Sequence, residues 1–151
     1  MIETGPATYE DALFVADHMR AVDVRELHDM NGMGPLAAVA EAMRVDGEVL
    51  AARLDGEPVA LFGCARMSVL GNAGSPWLLG TDALERCARP LVTLGRAKVA
   101  EWVRTYDLLE NVVDARNVRT IGWLKRIGFS FDEPIEIKPG VPAVRFWKEG
   151  V

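Results

Sequence analysis

Apolar residues fall at helical spacing through Ala12, Leu13, Ala16 and Met19, and Thr8 with Asp11 forms a capping pair ahead of them. That combination predicts a first helix. A shorter helix is expected through Val24 and Leu27, before Asn31-Gly32-Met33-Gly34 breaks the pattern. Pro35 suits a first helical position. Leu36, Val39, Ala40 and Met43 then make the apolar stripe of a third helix, which Gly47 ends.

After Gly47 the periodicity changes. Glu48 to Leu54 reads as a strand, Asp55-Gly56 as a hairpin turn and Pro58 to Met67 as the returning strand. Gly71-Asn72-Ala73-Gly74 reads as a loop and Trp77 to Thr81 as a short apolar strand. A long helix is predicted from Glu85 to Tyr106. Leu91, Val92, Gly95, Val99, Trp102, Val103 and Tyr106 share its inner face, while Arg89, Thr93, Arg96 and Arg104 lie on the other. Glu110 to Asp114 is the next strand. Asn117 caps a helix with inner positions Val118, Ile121, Leu124 and Ile127, and Gly128 stops it. Two late strands, Phe131 to Ile137 and Ala143 to Lys148, flank a Pro139-Gly140 turn.

This order predicts an α/β (α+β) fold, with a central mixed, mostly antiparallel sheet flanked by helices. The strand–helix–strand unit around the long helix should cross over right-handedly. No repeat or linker divides the chain, so residues 1–151 are expected to form a single domain. Half of the 151 residues are hydrophobic and 26% are charged, enough for a packed core. The net charge of −5 argues against nucleic acid or a membrane surface as the general partner. Cys64 and Cys87 form no CxxC, and with only His18 and His28 they give no zinc spacing. Free buried thiols and a cytoplasmic, reducing location are therefore expected, and no metal.

Asn117, the helix through Ile121 and Leu124, and the closing Gly128-Phe129 resemble a signature of the GNAT superfamily of N-acetyltransferases. A narrower resemblance covers Trp77 to Gly128. Thr81-Asp82, the basic long helix, Tyr106-Asp107, Asn111-Val112 and the run from Asn117 to Gly128 are similar to small GNAT-like proteins of short-tailed bacteriophages, linked to virion assembly. The resemblance implies a splayed parallel strand pair, here Trp77–Thr81 and Glu110–Asp114, with acyl-CoA between them. It also implies acetyl transfer from acetyl-CoA to a small primary amine. The alternative it implies is a non-catalytic accessory protein with phage structural proteins as partners. A homodimer is a further expectation.

The same resemblance supplies the candidate site. Backbone donors at Leu79 and Gly80 would meet the cofactor, as would the helix start at Arg89, Thr93, Gly95 and Arg96, together with Asn117. A helix N-terminus suits a pyrophosphate because its N–H groups are unpaired. The chain departs from the pattern in two places. Only Gly95 of the phosphate-loop glycines is present, with Pro90 and Thr93 at the other key positions. Leu124 stands where many members carry a Tyr that protonates the leaving thiolate.

Several residues also have structural readings. Gly95 could be an interior packing residue of a helix that begins near Asp82–Glu85, Arg89 and Arg96 a solvated face, and Asn117 simply a cap. Tyr106 is either a substitute acid or core, and Trp123 is read as a packing or interface residue. Asn117, Asp82 and Glu110 are the candidate catalytic residues, with Glu85, Asp114 and His28 as further general-base candidates. No Gly-x-Ser-x-Gly, Walker or His-Glu-x-x-His motif competes.

Overall fold

The computed structural model describes residues 1–67 and 71–151. Its strands run in one sheet, ordered β1-β2-β3-β4-β5-β8-β6, with β7 pairing β8 off this path. β4 and β5 are parallel, the other pairings described are antiparallel, and helices flank the sheet, as the sequence predicts. The chain divides into two compact units, Met1–Ala65 with Trp77–Ala88, and Arg66–Pro76 with Arg89–Val151.

The first unit opens with β1 (Ile2–Pro6), which the sequence reading missed. Ile2 is its one large apolar residue, so the strand gives no alternation to detect. It is specified instead by antiparallel pairing with β2 (Gly47–Leu54), from Ile2↔Leu54 to Pro6↔Leu50. β2 returns as β3 (Glu57–Arg66) through Asp55 and Gly56, with φ of 51° and 86°. Two positive φ values in a two-residue loop make the turn whose twist matches the strands.

α1 (Tyr9–Asp17) carries a full capping box, with Thr8 and Asp11 each bonding the other's backbone N–H. α2 (Ala21–Glu26) runs into a π-helical turn, Leu27–Asn31, which Gly32 closes at φ 64°. α3 (Pro35–Arg44) starts on its proline. The core of this unit joins Ala12 and Val15 of α1 and Val39 of α3 to Ala51 and Leu61 of the strands, with Trp77 and Leu79 against them.

β4 (Ala73–Gly80) is longer than predicted, and Ala73-Gly74 belongs to it rather than to a loop. Small residues read as turn signals, but Gly74, Ser75 and Pro76 are buried. Helical structure starts earlier than Glu85, but the α-helix itself starts later, at Ala88. Thr81 caps a 3₁₀ turn at Asp82–Cys87, which leads directly into α4 (Ala88–Thr105).

In the second unit α4 buries Val99, Trp102 and Val103, with Tyr106 just beyond. β5 (Leu108–Asp114) pairs with β8 (Val141–Glu149) from Leu108↔Glu149 to Asp114↔Ala143. α5 (Val118–Arg126) lies between β5 and the short β6 (Ser130–Phe131). Leu124 and Ile127 are buried as expected, but Val118 is 72% exposed. It occupies the first helical position, whose neighbours on that face are not yet helix. The strand expected from Phe131 to Ile137 is two, β6 and β7 (Ile135–Lys138). Among the described residues no helix is long and apolar enough to cross a membrane.

Candidate functional site

In the second unit, backbone pairing between β4 and β5 is confined to Ala73↔Leu108 and Gly74↔Leu109. Just beyond it a side chain takes over. Asn111 Nδ2 donates to the Pro76 carbonyl at 2.8 Å, and its Oδ1 accepts from the Val112 N–H at 2.7 Å. Among the described residues the backbone ladder between the two strands ends at Gly74↔Leu109, and the site is built from that point.

The far end of β5 is committed to turning the chain. Asp114, 1% exposed, accepts from the Arg116 N–H at 2.9 Å and from its guanidinium at 2.6–3.2 Å. Asn117 is buried, and its side chain accepts the Thr120 N–H at 3.4 Å, so the capping role holds. On β5 itself, Glu110 Oε2 accepts from Arg145 Nε at 3.1 Å and Nη2 at 2.6 Å. Arg145 also donates to Asp132 at 3.1 Å, and its guanidinium lies 5.7 Å from the centre of the Trp147 ring. Hydrogen bonding to Glu110 holds the Arg145 guanidinium above its ordinary range, against the smaller opposing effect of burial. Glu110 is thus engaged in a two-pronged ion pair with Arg145.

The expected phosphate-binding turn is absent from its predicted place. Residues 89–96 lie inside a helix already running from the Asp82–Cys87 turn, so they are not at a free N-terminus. Gly95 is where α4 meets α5. A Cβ there would lie 2.9 Å from Ile127 Cγ2 and 3.1 Å from Trp123 Cζ2. Trp123 donates to the Leu91 carbonyl at 3.2 Å, and Arg96 Nε to the Arg126 carbonyl at 3.0 Å. Gly95 and Arg96 thus serve helix packing, while Arg89 and Thr93 are exposed. Tyr106 is 6% exposed and Leu124 4%, so both are core.

In the first unit, Leu79 packs into the apolar cluster. Gly80 has both backbone groups engaged. Its N–H donates to Asp23 Oδ2 at 2.9 Å and its carbonyl accepts from the Arg20 N–H at 2.8 Å. Arg20 chelates Asp23 through Nε at 2.8 Å and Nη2 at 2.9 Å, with the two side chains 14% and 5% exposed. Gly80 therefore has no free donor for a ligand carbonyl. Asp82 is exposed in the first turn after β4, and His28 sits beside Asp29 at 3.2 Å on the π-helical turn. An open apolar groove of about 560 Å³ runs between α1 and α3, and none of the predicted site residues lines it.

The sequence reading missed Arg20, Asp23 and Arg145, and gave Asn111 only as part of the resemblance, with no role. The i,i+3 spacing of Arg20 and Asp23 was a legible ion-pair signal. The others depend on partners far along the chain.

No family model matches the chain, and no curated protein does. Solved structures do match. A GNAT-family acetyltransferase from Streptococcus pneumoniae superimposes with a TM-score of 0.70 over 100% of both chains, at 13% identity. The GNAT domain of an S. lividans protein, PAT, gives 0.71 over 98% of this chain and 90% of that one, at 19% identity. The fold is that of the GNAT acetyltransferases. The aminoglycoside acetyltransferase AAC(6')-Ib, solved with coenzyme A, shares it too, with a TM-score of 0.69 and 17% identity over 99% of this chain and 95% of that one. Gly80, Gly95, Glu110 and Leu124 all have structural partners or surroundings here.

Proposed function

We propose that the protein is an acyl-CoA-dependent N-acyltransferase, transferring an acetyl group to a small primary amine. The observation that carries this reading is the β4–β5 pair, whose described ladder has two paired positions with the Asn111 amide just beyond them. An extended thioester arm needs strand backbone groups that are not already paired to a neighbouring strand, and among the described residues the β4–β5 ladder ends at Gly74↔Leu109. The fold shared with acetyltransferases solved with coenzyme A and acetyl-CoA supports the same ligand.

The fit is uneven along the cofactor. The end of the ladder suits the arm, whereas Gly95 and Arg96 do not suit the pyrophosphate, because α5 occupies one and the Arg126 carbonyl the other. Exposed Arg89, with Thr93 one turn on, is the site this reading assigns to the phosphates. Acetyl-CoA, when bound, supplies the acyl group as a thioester. Asp82, exposed after the strand, is the carboxylate assigned to take the amine's proton. Asn117 fixes the corner between β5 and α5.

A second reading has its own observation. Asp23 stands on the Gly80 N–H, and Leu124 offers no proton. Both favour a protein that keeps the fold for binding or assembly, with a protein partner such as a phage virion component.

Isothermal titration with acetyl-CoA and with CoA, beside an amine-dependent thiol-release assay, separates the two. Micromolar binding with thiol release supports the acyltransferase. No binding at millimolar ligand overturns it and leaves the accessory role.

A further inference from the structure

We propose that the outer face of α4 and α5 is a docking surface for the phosphate backbone of a nucleic acid, bound without reading its sequence. The net charge of −5 is shared unevenly between the two units. Met1–Ala65 with Trp77–Ala88 carries five basic and fourteen acidic residues, whereas Arg66–Pro76 with Arg89–Val151 carries twelve and eight. The whole-chain sum conceals a basic half, and an anionic polymer responds to the local field.

The excess is concentrated on two helices. α4 and α5 together hold five arginines and two lysines against one carboxylate, Glu101, which accepts from Lys98 at 3.2 Å. Arg89, Arg96, Arg104, Arg119, Lys125 and Arg126 are all exposed. The helices meet where Gly95 lies against Ile127 and Trp123, and Arg96 Nε reaches the Arg126 carbonyl at 3.0 Å. The last-turn cations Arg104, Lys125 and Arg126 suit the helix dipoles. Arg119 does not. It stands in the first turn of α5, which has no carboxylate and where a cation opposes the dipole.

The geometry favours a phosphate backbone over other anionic partners. From Arg89 to Arg104, α4 rises about 22 Å, the axial span of about six phosphates on one strand. Between these arginines the exposed positions include Thr93, Ala97 and Ala100, small enough for a backbone to lie close. Most of the cations are arginine, whose fork matches phosphate oxygens. A protein partner or a lipid surface would take apolar anchors. Among the described residues Val118 is the one large hydrophobic side chain exposed on these helices. Trp102 is buried, and Trp123 is held by the Leu91 carbonyl and Gly95, so contact falls on the backbone and not on stacked bases.

Fluorescence anisotropy with random-sequence duplexes of about 20 base pairs, one RNA and one DNA, tests this over a salt series. Binding to either supports the proposal, and the tighter arm names the polymer. Log K should fall against log salt with a slope of about −3 to −5, each neutralised phosphate contributing about −0.9. Arg104→Gln, Arg119→Gln and Arg126→Gln together should flatten the slope by about three and weaken binding at low salt tenfold or more. Each alone should flatten it by about one, which keeps the test intact if the triple variant melts early. Arg89, assigned above to the cofactor phosphates, is left in place. A matched control on the first unit, Arg25→Gln with Arg44→Gln and Arg86→Gln, removes the same total charge and should leave the slope unchanged. A wild type that binds neither duplex overturns the proposal. So does a slope that the α4–α5 exchanges leave alone, or one that the control flattens equally. Phosphatidylserine vesicles bound as tightly as the duplexes would overturn it in favour of a membrane surface.

Discussion

Asp23 Oδ2 accepts the N–H of Gly80, fifty-seven residues away in the chain, at 2.9 Å. The carboxylate is held by both Nε and Nη2 of Arg20, and the pair is nearly buried. Removing one partner strands a buried charge and an amide donor together. Asp23→Ala is expected to lower stability by about 3 kcal/mol, and Asp23→Asn, which keeps an acceptor oxygen, by less. Urea unfolding with intact m-values checks both. Equal losses in the two variants would show that the charge alone matters and the Gly80 bond does not.

Gly95 is the second position where space decides. Alanine in a helix interior normally gains about 1 kcal/mol over glycine. Here its Cβ would sit 2.9 Å from Ile127 Cγ2, on a β-branched side chain with little freedom to rotate away. Gly95→Ala should therefore fail to stabilise, and Gly95→Val should destabilise by about 1–3 kcal/mol through overpacking. Thermal unfolding of the two variants measures it. An alanine variant that melts higher would mean α4 and α5 can move apart.

Asp11 ties α1 to β2. Burial pushes its carboxyl up, but hydrogen bonds from Arg53 and from the Thr8 backbone and side chain together hold it below its ordinary 3.8. A group with a depressed folded pKa contributes stability that is fully present above the unfolded value. That contribution is lost as pH falls through the folded one. Below about pH 4 the wild type should therefore lose stability more steeply than Asp11→Asn. Urea midpoints at pH 6 and pH 3 check the slope. Identical slopes would remove Asp11 from the acid response.

Both cysteines are buried, Cys64 at 1% and Cys87 at 2% exposure. Burial, then the nearby Glu48 charge, pushes the Cys64 thiol up to about 12. Cys87 points its thiol at the Ala83 carbonyl, 3.6 Å away. A thiol reagent at pH 8 should find neither in the native protein and both in urea. Fast native reaction of either thiol would show that its surroundings open.

Much of the fold is legible locally because its signals are local. The capping box at Thr8, the Asp55-Gly56 turn, the proline start of α3 and the Asn117 to Gly128 helix each sit within a few residues. β1 is not legible, because Ile-Glu-Thr-Gly-Pro becomes a strand only when β2 offers it a ladder. β4 was shortened because small residues in a buried strand look like a turn.

The site was less legible for the same reason at longer range. Gly95 has two local readings, and only the placement of Ile127 and Trp123 chooses between them. The carboxylate of Glu110 reads as available until Arg145, thirty-five residues on, is seen to hold it.

The amide that spans from Asn111 to Pro76 brings a chemical liability. Hydrolysis of an asparagine side chain changes a single group, yet it exchanges the donor nitrogen for a second acceptor oxygen. At this position that oxygen would face the Pro76 carbonyl from the place where a hydrogen bond of 2.8 Å now stands. Attraction would become repulsion between two acceptors just beyond the β4–β5 ladder. Hydrolysis at Asn111, with one unit of added negative charge, would thus register as a local loosening at that point.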